Sequence, residues 1–121
     1  MSKELIQMSA IELLDGYRSG TFSPVEATQA VLDRIHKVND KINAFVLVDD
    51  EYALAAAQES EARWHSGAPK GLLDGVPTTL KDLVLTKGWP TLKGSLTVDP
   101  AGPWEEDAPC VARLREHGAV F

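Results

Sequence analysis

Residues 71–85 have the sequence Gly-Leu-Leu-Asp-Gly-Val-Pro-Thr-Thr-Leu-Lys-Asp-Leu-Val-Leu, and this stretch decides the expected fold. Gly75 and Pro77 interrupt the element that precedes them. The residues from 76 to 85 are rich in Val, Leu and Thr, which predicts a β-strand. Both faces of that strand are mostly apolar, as in strands that a sheet buries on both sides.

Lys81 lies in the middle of this predicted strand. Because side chains alternate between the two faces of a strand, Lys81 and Asp82 are expected to point in opposite directions. Burial disfavours the ammonium ion, and a neutral lysine can act as a general base near pH 7. In the alternative interpretation the strand ends near Lys81 and the Lys-Asp pair is solvated, because most lysines are exposed. The residues alone leave both interpretations open.

The composition narrows the class of protein. The chain has 121 residues, a net charge of -6 and a single cysteine, Cys110. The length suits one domain or part of a larger one, and the negative charge argues against non-specific binding to nucleic acid or to an acidic membrane. The N-terminal residues lack the apolar core of a signal peptide, and no stretch approaches the ~18 apolar residues of a membrane span. We therefore expect a soluble cytoplasmic chain without a nucleic-acid or membrane partner, and the lone cysteine fits a reducing compartment.

Helices and strands are expected to follow one another along the chain. Ser9 with Glu12, and Ser23 with Glu26, form two capping boxes that predict helix starts. The predicted helices span residues of about 10–19, 24–39, 50–66 and 108–117. The predicted strands span residues of about 44–48, 76–85 and 119–121.

The other reactive side chains do not form a recognisable site. His36, His65 and His117 are far apart in the sequence and fall in predicted helices, so we interpret them as structural or surface residues. Cys110 and His117 share a helix face, but two ligands do not make a zinc site. The acidic residues 105–107 are interpreted as a solvated helix entry, and no glycine loop of a phosphate-binding type is present. The sequence therefore predicts neither a metal nor a cofactor.

Four motifs in one order resemble the N-terminal part of the amidase signature family. Residues 71–77 resemble its Gly-Pro-Leu-x-Gly-Val-Pro lead-in, with Leu72 in place of the proline. Residues 78–82, Thr-Thr-Leu-Lys-Asp, resemble its lysine strand, and residues 88–95 match its Gly-x-Pro-Thr-x-x-Gly-Ser loop. Residues 107–120 match its Asp-Ala-x-x-Val-x-x-Leu-x-x-x-Gly-Ala-Val segment. Each motif is weak alone, but together they make the resemblance cover essentially the whole chain.

The resemblance implies an α/β fold, the N-terminal part of the amidase signature fold, in which helices pack on a mixed β-sheet. It also implies hydrolysis of the carbon–nitrogen bond of a small linear amide by a Ser–cis-Ser–Lys triad. Lys81 is then the catalytic lysine, whose neutral amine takes a proton through the middle serine from the nucleophilic serine. Asp82 is expected to position the strand end or a nearby loop, and Ser95 is expected to be structural.

The resemblance also suggests that the fold is incomplete in residues 1–121. In the family the Gly/Ser-rich segment with both catalytic serines lies downstream of the position of Phe121, so we expect an N-terminal fragment of a single amidase domain that is inactive alone. An alternative is the A subunit of a glutamyl-tRNA amidotransferase, although the negative charge and the Thr-Thr-Leu-Lys sequence favour a free amidase. A third hypothesis is a non-catalytic fragment that forms a homo-oligomer through an exposed sheet edge, because unpaired strands pair between chains.

Overall fold

Helices are the regular elements of the structure, a computed structural model that describes residues 4–121. A short 3-10 helix (Leu5–Gln7) precedes α1 (Ala10–Ser19), α2 (Pro24–Ile42), α3 (Asp50–His65) and α4 (Pro109–Glu116). The largest difference from the predicted ranges is the end of α2, which lies at Ile42 rather than near residue 39. Within the described residues, no helix has the length and apolar character that crossing a membrane requires.

Capping boxes begin α1 and α2, as the sequence predicts. The Oγ of Ser9 accepts the amide N–H of Glu12 at 3.3 Å, and the carboxylate of Glu12 accepts the amide of Ser9 at 2.6 Å. Ser23 and Glu26 repeat the arrangement at 3.2 and 2.8 Å. Each box satisfies amide groups that have no partner inside the helix, so the start of each helix is determined by neighbours in the sequence.

Two clusters of buried side chains join α1, α2 and α3 to the segments around residues 76 and 120. The first consists of Leu13, Tyr17, Ala27 and Val76, and the second of Leu32, Ala53, Ala57 and Val120. Ala57 is completely buried, and the small side chains of α3 let this helix pack closely on α2. The core therefore fixes the chain segment that leads to the candidate catalytic lysine.

The predicted strand over residues 76–85 does not form. The Thr78 N–H donates to the Val120 carbonyl at 2.7 Å, and the Val120 N–H donates to the Val76 carbonyl at 3.0 Å. These bonds make one isolated parallel bridge, and residues 119–121 contribute nothing further to it. A strand needs a continuous ladder of hydrogen bonds to a neighbour, so the predictions at 76–85 and 119–121 are wrong in the described structure.

The chain turns where the strand was expected to continue. The Val84 N–H donates to the Lys81 carbonyl at 3.0 Å, which closes a turn over the intervening residues. Thr86 and Trp89 then form an isolated antiparallel bridge. Because the turn interrupts the alternation of faces, Lys81 is not on the buried strand that the sequence predicts. The two isolated bridges are the only β-pairings of residues 4–121, so the expected mixed β-sheet is not present there.

Residues 44–48 are also not a strand, and the cause is Asn39. The Oδ1 of Asn39 accepts the amides of Ala44 and Phe45 at 3.0 and 2.9 Å, and its Nδ2 donates to the Phe45 carbonyl at 3.1 Å. These are backbone groups that a strand would offer to a neighbour. Asn43, with a φ of 49°, ends α2 in the left-handed conformation. The chain therefore folds back onto the end of α2.

Candidate functional site

The residues before the lysine lie against the segment that follows α4. The Leu73 N–H donates to the His117 carbonyl at 3.0 Å. The Gly75 N–H donates to the Gly118 carbonyl at the same distance of 3.0 Å. A Cβ atom on Gly75 would lie 2.5 Å from the Oγ of Ser60, and the φ of this glycine is +84°. Any other residue would be strained and would collide, so the glycine of this motif is a packing requirement.

Asp74 anchors the same segment to α3. Its side chain is fully buried, and the Arg63 guanidinium donates to it from Nε at 2.9 Å and from Nη2 at 2.6 Å. The Lys70 backbone N–H also donates to the carboxylate, and the Trp64 indole donates to the Asp74 carbonyl at 3.0 Å. Burial by itself raises the pKa of Asp74, but the hydrogen bonds from Arg63 and Lys70 outweigh it and hold the pKa below its usual value. Asp74 is therefore a buried, paired carboxylate.

Tyr17 holds the segment from the side of α1. Its hydroxyl donates to the Gly75 carbonyl at 2.9 Å. Its ring packs against Phe22 and Trp64, with centroid distances of 5.8 and 5.9 Å. Burial raises the pKa of Tyr17 well above its ordinary value, so the hydroxyl remains a hydrogen-bond donor at neutral pH.

Lys81 lines an apolar cavity of about 420 Å³. The cavity lies between α2, residues 44–49, residues 77–82 and residues 89–91. The Lys81 side chain is exposed, so the solvated interpretation describes Lys81 in the described chain and the buried one does not. It does not describe Asp82, which is half-buried and hydrogen-bonded. Within residues 4–121, Lys81 has no ion-pair partner and no serine lines the cavity. The described residues therefore offer one amine beside a mostly apolar volume, without a serine nucleophile.

Asp82 fixes the loop that faces the lysine. Its carboxylate accepts the amide N–H of Leu92 at 2.9 Å and that of Gly94 at 3.2 Å. Its backbone carbonyl accepts the amide of Lys93 at 3.0 Å. The expectation that Asp82 positions a nearby loop is confirmed by these contacts.

Trp89 connects this loop to α3 and α4. Its indole N–H donates to the Asp49 carboxylate at 3.0 Å, and its ring lies 4.7 Å from the ring of Tyr52. The Tyr52 hydroxyl accepts from Arg115 at 2.6 Å, and Arg115 also donates twice to Asp107 at 2.8 and 2.9 Å. The hydrogen bonds between Arg115 and Asp107 raise the pKa of the guanidinium and lower that of the carboxyl. Asp107 is therefore an ion-pair partner rather than part of a solvated helix entry.

The remaining polar candidates take part in local contacts or are exposed. The Ser95 Oγ lies 2.7 Å from the Thr97 Oγ and accepts the Thr97 N–H at 3.2 Å, as expected of a structural serine. The Nδ1 of His117 accepts the Leu72 N–H at 2.9 Å, and Cys110 is exposed. In the described part of the chain, no three His, Cys, Asp or Glu side chains are grouped so as to hold a metal ion.

Sequence reasoning missed the two long-range pairs that organise the site. Arg63 and Asp74 are 11 residues apart, and Asp49 and Trp89 are 40 apart. A single sequence carries no signal for such partners, because their contact depends on how the helices pack. Asp74 precedes the predicted strand over residues 76–85, so the sequence did not identify it as a buried carboxylate in need of a partner.

Comparison with known proteins extends these observations. The family model described as Amidase matches residues 26–121. The A subunit of the glutamyl-tRNA(Gln) amidotransferase of Salinispora tropica is 45% identical over 119 residues, which are 98% of this chain and 24% of that protein. The chain therefore spans about a quarter of the length of that curated relative.

Solved structures agree with the family match. A crystal structure described as an amidase superposes with a TM-score of 0.85 and 33% identity, covering 94% of this chain and 26% of that one. The native peptide amidase of Stenotrophomonas maltophilia superposes with a TM-score of 0.85 and 30% identity, covering 94% and 23% of the two chains. The helices and connecting segments described above therefore have the arrangement found in amidases of known structure.

Proposed function

The chain belongs to the amidase family, and we propose that the complete protein hydrolyses the carbon–nitrogen bond of a small linear amide with Lys81 as the general base. The observation that carries the proposal is the place of Lys81, on a turn fixed at both ends beside the apolar cavity. The match between residues 78–82 and the family's lysine motif supports it.

In the proposed reaction, Lys81 relays a proton away from a serine nucleophile. Its neutral Nζ accepts the proton of a bridging serine as that serine takes the proton of the nucleophile. The freed oxygen attacks the amide carbon. The relay returns the proton from Lys81 to the departing nitrogen, which leaves as an amine, and water then hydrolyses the ester that remains. Because this chain covers 24% of the Salinispora tropica relative, we place both serines in the rest of the complete protein. We also place there the residues that cover Lys81 and keep its amine neutral.

Substitution of Lys81 in the complete protein tests this role. We expect Lys81→Met to lower kcat for amide hydrolysis by about 10²–10⁴-fold, since general-base catalysis contributes this much. Lys87→Met is the control, because Lys87 is also an exposed lysine but does not line the cavity. Release of amine from a panel of aliphatic and aryl amides gives the rate. If Lys81→Met keeps the rate of Lys87→Met, Lys81 is not the base.

The second candidate function is that of the A subunit of a glutamyl-tRNA amidotransferase. The observation that favours it is the 45% identity to the Salinispora tropica protein of that name. The complete protein would then copurify with a second protein of the same enzyme, and the two together would support amide transfer to glutamyl-tRNA(Gln). If the complete protein hydrolyses simple amides and no second protein copurifies with it, the free amidase is correct.

The isolated 121-residue chain provides a further comparison. We expect it to show no amide hydrolysis, because the described residues place the lysine at the cavity without a serine. Turnover by the isolated chain would contradict this. Association of the chain with itself is the non-catalytic alternative, and light scattering that finds only monomers speaks against it.

A further inference from the structure

We propose that Asp82 is a positioning residue for Lys81: it holds the main chain of the lysine in place by binding three consecutive backbone amides of the facing loop. This inference rests on the proposed function, because it gives Asp82 a role only if Lys81 is the base. It concerns a residue with no place in the proton relay itself.

The contacts converge on one residue from one short segment. The carboxylate of Asp82 accepts the N–H groups of Leu92 and Gly94, at 2.9 and 3.2 Å. The carbonyl of Asp82 accepts the N–H of the residue between them, Lys93, at 3.0 Å. Asp82 is therefore joined to the loop by both its side chain and its main chain, which limits rotation as well as translation.

The loop adopts an unusual backbone to make these contacts. Lys93 has a φ of 56° and Gly94 a φ of 64°, so two consecutive residues are left-handed. A lysine rarely takes this conformation. It turns the amides of Leu92 and Gly94 towards the Asp82 carboxylate and the amide of Lys93 towards the Asp82 carbonyl. The contacts with Asp82 therefore accompany an uncommon backbone conformation of the loop.

The effect reaches Lys81 through the main chain. The Lys81 carbonyl accepts the Val84 N–H at 3.0 Å, and the Thr78 N–H is bound to the Val120 carbonyl at 2.7 Å. The lysine thus lies between an anchor that precedes it and Asp82, which follows it directly. Among the described residues, Asp82 and Lys81 do not form an ion pair. Asp82 therefore acts on the position of the amine through the main chain.

Kinetics of the complete protein test the proposal. We expect Asp82→Ala to lower kcat by about 10–100-fold while KM changes little, because a misplacement of about 1 Å in a catalytic group costs roughly this much. Asp82→Asn keeps one carbonyl oxygen for the amides, so it should recover part of the loss. Asp99→Asn is the matched control, since Asp99 accepts only the local amide of Ala101 in an exposed loop.

The outcomes separate this proposal from the proposed function. If Lys81→Met is inactive while Asp82→Ala keeps kcat within about twofold of Asp99→Asn, the positioning role is wrong and the base assignment stands. A loss for Asp82→Ala that appears in KM alone also overturns it. If Lys81→Met is active, the proposed function and this inference both fail. Should Asp82→Ala not fold, Asp82→Asn decides: a kcat within about twofold of that of Asp99→Asn overturns the positioning role.

Discussion

The ion pair between Arg63 and Asp74 predicts a large loss of stability on substitution of Arg63 by methionine. The Asp74 side chain has an exposed fraction of 0%, and that of Arg63 is 29%. Methionine keeps most of the apolar stem of the arginine and removes the guanidinium. The carboxylate would then remain in the interior without a cationic partner, although the Lys70 amide would still donate to it.

The magnitude of this loss of stability follows from the number and the environment of the hydrogen bonds between Arg63 and Asp74. Arg63 makes two charge-assisted hydrogen bonds to Asp74. Removing one partner of a buried ion pair typically costs about 3–5 kcal/mol, because an unpaired charge is left inside. The guanidinium is partly in contact with water, which screens part of the interaction. We therefore expect Arg63→Met to lower the free energy of unfolding by an amount near the lower end of that range, about 3 kcal/mol at pH 7.

The pH dependence of this loss has a definite sign. In the wild type the pKa of Asp74 is lowered, so its contribution is present above the unfolded pKa of about 3.9 and disappears as the pH falls through the folded pKa. In Arg63→Met the burial of Asp74 remains without the pair, and burial raises a carboxyl pKa. That variant gains relative stability as the pH falls and Asp74 takes up a proton. The difference between the two proteins is therefore largest near neutral pH. It shrinks as the pH falls, first through the raised pKa of Asp74 in the variant and then through the lowered pKa of Asp74 in the wild type.

Equilibrium unfolding in urea, followed by circular dichroism from pH 3 to 7, measures both quantities. Arg18→Met is the control, because Arg18 pairs with Asp15 and their side chains are 66% and 64% exposed. Exposed pairs of this kind contribute less than about 1 kcal/mol. The reasoning is refuted if Arg63→Met and Arg18→Met lose the same free energy of unfolding, or if the loss in Arg63→Met does not change with pH.

Three further substitutions test the packing and the capping. Gly75→Ala should lower the free energy of unfolding in urea by at least about 2 kcal/mol, because the new Cβ would lie 2.8 Å from the Cβ of Pro24 at a φ of +84°. A loss below about 0.5 kcal/mol would contradict the close approach. Ser23→Ala should lower the free energy of unfolding by about 1 kcal/mol, measured by thermal or urea unfolding. Ser23→Thr keeps a capping oxygen and should lower it by less. Trp89→Phe should lower the free energy of unfolding by about 1 kcal/mol, since phenylalanine cannot donate a hydrogen bond to Asp49. An unchanged midpoint of urea unfolding would show that this hydrogen bond contributes nothing to stability.

The helix starts could be predicted because their causes are local. Ser23 and Glu26 are three residues apart, and each satisfies an amide of the other wherever the helix is placed. The end of α2 could not be predicted in the same way. Asn39 is a polar residue that suggests a helix end, yet it stays helical and uses its side chain to bind the residues beyond. The choice between these two roles depends on the path of the following chain.

The strand predictions were wrong for a related reason. The apolar and β-branched residues of 44–48 and 76–85 have the composition of strands, but a strand exists only through hydrogen bonds to a second segment. At Ala44 and Phe45 those groups bind Asn39, and after residue 80 the chain turns. Composition describes the residues of a segment and does not identify its hydrogen-bond partners.

The sequence by itself determined the family resemblance, the helix starts and the choice of Lys81, because each depends on residues close together in the chain. Only the tertiary structure decided that Lys81 is exposed beside a cavity, that Arg63 is the partner of Asp74, and that Asp82 binds the facing loop. These features depend on distances between segments far apart in the chain. Such distances are set by the packing of the helices and by the need of most buried polar groups for a hydrogen-bond partner.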